Sequence, residues 1–79
     1  MAHYFFNIVD GVRIDDEEGQ ELPDLEAARA EAVKSARSIM ADAIWTGRLP
    51  LDEEIEIADQ KGQVLAIVAF AEAVYITRS

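Results

Sequence analysis

The chain has 79 residues, 51% of them hydrophobic, with 7 basic and 16 acidic side chains and a formal net charge of −9. That length gives one domain, residues 1–79, with a thin core, and the apolar content excludes intrinsic disorder. The acidic balance repels phosphate backbones, which excludes direct nucleic-acid binding, and the lack of cysteine excludes disulfides and thiolate metal sites.

No apolar run approaches the roughly 20 residues of a membrane span. The opening MAHYFFNIVDG lacks the basic and long apolar regions of a secretory signal. A soluble protein of the cytoplasm, without membrane contact, is the expectation.

His3–Val9 is rich in aromatic and β-branched residues, which fit a pleated strand. Side chains alternate across a strand, so Tyr4, Phe6 and Ile8 form the core face. His3, Phe5, Asn7 and Val9 form the other. Asp10-Gly11 marks a turn, and Val12–Ile14 reads as a short returning strand.

Asp16, Glu17, Glu18 and Gly19 have the form D-x-x-G, which recurs at Asp59, Gln60, Lys61 and Gly62. An aspartate at the first position accepts a backbone N–H two residues on, and glycine suits the left-handed conformation that follows. Both segments therefore read as turns. They are not a duplicated domain, because one leads to a helix and the other to a strand.

The clearest element is the helix of LPDLEAARAEAVKSARSIMADAIWTG. Asp24 is its N-cap and Glu26 lies in the first turn, where the helix dipole favours an acid. Leu25, Ala28, Ala32, Ala36, Ile39 and Ala43 recur at intervals of three and four and form one apolar stripe. Val33, Met40 and Ile44 widen it. Gly47 is the expected stop, and Trp45 is expected to cap an edge of the core.

Glu53–Asp59 alternates, with Ile55 and Ile57 inward and Glu54 and Glu56 outward. The Asp59–Gly62 turn makes a hairpin to QVLAIVAF. A three-residue loop with a glycine bulge sets Leu65 and Ile67 beside Ile57 and Ile55 in the core. A four-residue loop shifts the register by one and exchanges the faces. The bulged form is the expectation, and it leaves Val64, Ala66, Val68 and Phe70 outside.

The order of motifs resembles a family of short uncharacterised bacterial proteins of the rhizobial type, a domain of unknown function. The resemblance rests on YFF…DG, on DEEGQELPDLEAAR and on the closing GQVLAIVAFAEA. It covers most of the chain, with Thr46–Asp52 the least matched part. It implies a domain boundary, and it transfers no activity and no catalytic residue.

The acids Asp15, Asp16, Glu17 and Glu18, with Asp10 nearby, are the candidate cation ligands. Calcium takes six to eight oxygens, but the spacing here is not that of an EF-hand loop. A solvated turn is the plainer reading. His3 is the single histidine, so zinc has no second soft ligand. Ser35 and Ser38 lie within the helix and carry no nucleophile motif. The four glycines are scattered and build no phosphate loop. No catalytic residue and no cofactor is assigned.

The expected fold is α+β, in the order β-β-α-β-β, a small antiparallel sheet packed on one long helix. One helix covers one sheet face, so the outer apolar row needs a partner, and a soluble monomer rarely exposes such a patch. Either the loop after the helix or the C-terminal tail, with Val74 and Ile76, folds over it, or it is an interface with a second copy or another protein partner. The expected function is a non-enzymatic interaction module forming a homodimer through Val64, Ala66, Val68 and Phe70, with Phe5 beside them. Two alternatives stand beside it: weak cation or small-ligand binding by the Asp15–Glu18 loop, and acidic regulation of a basic partner.

Overall fold

The computed structural model describes residues 1–77. Its elements are β1 (Ala2–Asp10), β2 (Val12–Ile14), β3 (Gln20–Leu22), α1 (Leu25–Ile44), β4 (Glu54–Ala58), β5 (Val64–Ala69) and a 3-10 turn over Phe70–Ala73. The expected α+β fold is present, with β3 as an additional early strand. All pairings are antiparallel, in the order β2-β1-β4-β5, and β3 also pairs with β1.

β1 organises the sheet. Its C-terminal end pairs with β2, Ile8 opposite Ile14, across a turn made by Gly11. Its N-terminal end pairs with β3, Ala2 opposite Leu22. Its middle pairs with β4, with Phe6 opposite Ile57 and Ile8 opposite Ile55. Tyr4, Phe6 and Ile8 do face the core, Tyr4 fully and the other two in part.

The helix begins where the sequence places it. The Asp24 side chain accepts the Ala27 N–H at 2.8 Å, and Gly47, with φ +82°, ends it. Ala28, Ala32 and Ala36 are wholly buried, as is Met40. Alanine at these positions lets the helix backbone lie close against the sheet, over β4, β5 and the 3-10 turn. Trp45 does not cap the core: it is 89% exposed. It is the C-cap, directly after the last helical residue.

Both D-x-x-G segments are turns of one design. Asp16 accepts the N–H groups of Glu18 and Gly19, and Asp59 those of Lys61 and Gln63. Gly19 and Gly62 both have positive φ. Gly19 also passes so close to β1 that a Cβ would lie 2.7 Å from the Tyr4 carbonyl oxygen. A backbone atom cannot move aside as a flexible side chain can, so only glycine fits.

The last hairpin corrects the expected faces. Its loop is the three-residue form, with Asp59 N–H donating to the Gln63 carbonyl and Ala58 opposite Val64. One step further the register slips: Ile57 lies opposite Ala66 and Ile55 opposite Val68. Leu65 is the extra residue of a second bulge. Ala66, Val68 and Phe70 therefore enter the core, and Leu65 and Ile67 face outward. Burial of Phe70 accounts for the choice. It is in phase with Val68 and Ala66, and it is the largest of the completely buried side chains.

Candidate functional site

Two features of the folded chain concentrate polar chemistry, and two concentrate exposed apolar surface. The first polar feature is Asp16. It lies beside the stretch of β1 that neither β2 nor β3 reaches. Its Oδ2 accepts the Phe6 N–H at 3.1 Å, while Oδ1 takes the two turn N–H groups. Its own N–H donates to Oδ1 of Asn7, a side chain 5% exposed. Partial burial disfavours the Asp16 carboxylate, but the N–H groups of Gly19, Phe6 and Glu18 outweigh it and hold the carboxyl below its ordinary range.

The other acids of that run do not converge with it. Asp15 pairs with Arg13 at 2.7 Å, and Glu17 and Glu18 point to solvent. Arg13 also reaches Glu56 across the outer face of the sheet. Among the described residues, no group of three or more His, Cys, Asp or Glu side chains is placed to hold a metal ion. His3 is engaged too, with Nε2 2.7 Å from the Glu18 carbonyl oxygen. Ser35 is half-buried and Ser38 exposed on the helix.

The second polar feature is one the sequence reading missed. Glu53 is 5% exposed at the entry to β4, with Arg48 at 3.4 Å. Burial pushes its carboxyl up, and Asp10 pushes it further, against the opposing pull of Arg48. Only the tertiary fold brings Asp10, at the end of β1, to Glu53, so no local motif signals the pair.

These two carboxyls act on stability in opposite senses. Glu53 binds its proton more tightly folded than unfolded, so stability rises as pH falls through the range where it protonates. Asp16 stabilises the fold above the ordinary aspartate range and loses that contribution as pH falls through its depressed value. Thermal midpoints are expected to rise from neutral pH into mild acid and then to fall. Glu53→Gln is expected to flatten the rise and leave the acid-side fall in place. An unchanged rise in that variant would assign it to relief of the general negative charge instead.

The first apolar feature is the outer row of β5. Leu65 is 40% and Ile67 47% exposed, on an edge strand with β4 on one side only. Of the residues expected to form an interface, Val64 is exposed and Phe5 half-buried on the outer face. Ala66, Val68 and Phe70 lie under the helix and are unavailable to a partner. They share one face of the strand, so the burial of Phe70 takes Val68 and Ala66 in with it.

A second exposed apolar surface, a groove, lies at the C-terminal end of the helix, lined by Met40, Ile44, Leu49 and Val74, with Ile44 58% exposed. The tail residues Val74 and Ile76 sit there and do not cover the outer face of the sheet. Among the described residues, no helix is long and apolar enough to cross a membrane.

No curated protein and no solved structure matches the chain. A family model does match, over residues 3–71, from the start of β1 into the 3-10 turn. The chain thus belongs to the family described as Domain of unknown function (DUF6894).

Proposed function

We propose that the chain is a small non-enzymatic interaction module that self-associates through the outer face of β5. The observation that carries this reading is the exposure of Leu65 and Ile67 on an edge strand. Adjacent large aliphatic side chains in water are the usual mark of a contact surface. The acidic loop is the weaker candidate, because the carboxylate oxygens of Asp16 are taken by backbone N–H groups and Asp15 is tied to Arg13.

Sedimentation from micromolar to millimolar protein tests the reading. Wild type is expected to shift from monomer toward dimer, and Ile67→Glu to stay monomeric with unchanged helix content. A charge at Val68 is not the diagnostic change. Val68 is 2% exposed, so a charge there would unfold the monomer. A wild-type chain that is monomeric throughout would overturn the proposal.

A further inference from the structure

Resting on that self-association, we infer its geometry: β5 pairs edge to edge with β5 of a second copy, antiparallel, about a twofold axis at Ile67. The Phe70 N–H donates to the Glu53 carbonyl on the β4 side. Backbone groups alternate sides along an antiparallel strand, so Val68 and Ala66 also address β4. Ile67 and Ala69 address the free edge.

The Ala69 N–H is already taken by the Glu72 carboxylate at 3.0 Å, and the bulge at Leu65 distorts the other end of the strand. Between these limits, the Ile67 N–H and carbonyl remain as one donor and one acceptor on one residue. A twofold axis there lets two copies exchange both hydrogen bonds.

Charge selects a second copy as the occupant. β5 is the one strand of the five with no ionisable side chain. Elsewhere a chain of net charge −9 meets its like with repulsion. Glu56 is the nearest acid across the sheet from Ile67. With strands spaced about 4.8 Å apart, the two Glu56 side chains would stand roughly 14 Å apart, beyond the screening length of about 8 Å in physiological salt.

The ends of the strand are complementary as well. Lys61 lies in the hairpin loop before β5, and Glu72 lies just after it. Antiparallel pairing about Ile67 brings Lys61 of each copy toward Glu72 of the other. On the outer face it sets Ile67 beside its own copy and Leu65 beside Ala69.

The opposite side of the sheet offers no such edge. There β1 is met by two three-residue strands carrying Arg13 and Glu21, and short charged strands blunt an edge.

Main-chain pairing is tested by amide exchange and by proline. On wild type, Ile67 amide exchange is expected to slow by on the order of tenfold or more between micromolar and millimolar protein. Ile67→Pro removes an outward N–H, which an edge strand tolerates, and the isoleucine side chain with it, so Ile67→Ala, which keeps the N–H and is expected still to dimerise, is its control. The proline variant is expected to keep the helical spectrum and remain monomeric.

Suppose wild type associates and Ile67→Glu does not, but the Ile67 amide stays fast and Ile67→Pro still dimerises. Edge pairing is then overturned in favour of face-to-face stacking, and self-association stands. A wild type monomeric at every concentration overturns both.

Discussion

Phe70→Ala is expected to remove a large share of the stability of this domain. The side chain is completely buried, at the point where β5 gives way to the 3-10 turn, and it packs in one cluster with Ala36, Met40 and Val68. Truncating a buried phenylalanine costs about 3–5 kcal/mol, because the cavity left behind collapses only in part. At roughly 0.05–0.15 kcal/mol per residue, a chain of this length holds about 4–12 kcal/mol in total. The variant should therefore lie near its unfolding midpoint in buffer or far down the denaturant axis, as urea titration of the helical signal would show. Leu65→Ala, on the exposed row of the same strand, should cost well under half as much. Equal losses at the two positions would mean that the faces of β5 are assigned the wrong way round.

Asp16→Ala is expected to cost about 2–3 kcal/mol, since its carboxylate accepts three backbone N–H bonds and bonds to a charged acceptor are the stronger kind. The loss should be local as well as global. Amides of Phe6 and Gly19 should lose protection first, because Asp16 ties the Asp15–Gly19 segment to the middle of β1 on the edge that β2 and β3 leave open. Asp59→Ala is the matched comparison. Its carboxylate serves two N–H groups within an exposed hairpin loop and reaches no other strand. If the two substitutions cost the same, Asp16 is no more than a turn former. Wild type should lose much of what Asp16→Ala loses at neutral pH only once the pH falls through the depressed value at which Asp16 protonates, because protonation removes the charged acceptor.

The acidic run that invites a metal reading thus owes its composition to two local tasks. Asp16 organises a turn and anchors it, and Asp15 neutralises Arg13. The first task is half legible in the sequence. The D-x-x-G form announces the turn, because the aspartate and the glycine act over four consecutive residues. The bond to Phe6 is not legible, because its donor lies ten residues away in sequence. β3 was missed for a related reason. Gln20–Leu22 is three residues long and reads as the approach to the helix, and only pairing with Ala2–Tyr4 makes it a strand.

By itself the sequence determined the helix, its N-cap at Asp24 and its alanine stripe, because period and capping act within a few residues. It also determined both aspartate–glycine turns and the inward faces of β1 and β4, where Asn7 in β1 and Glu54 and Glu56 in β4 mark the outer side. The tertiary structure alone decided the faces of β5. That strand is apolar on both sides, so alternation carries no information, and the three-residue loop predicts the wrong phase. One extra residue at Leu65 reverses it, and the helix selects that form because it buries Phe70 against Val68 and Ala66. The same selection leaves Leu65 and Ile67 in water and so locates the surface through which this protein is proposed to meet its own copy.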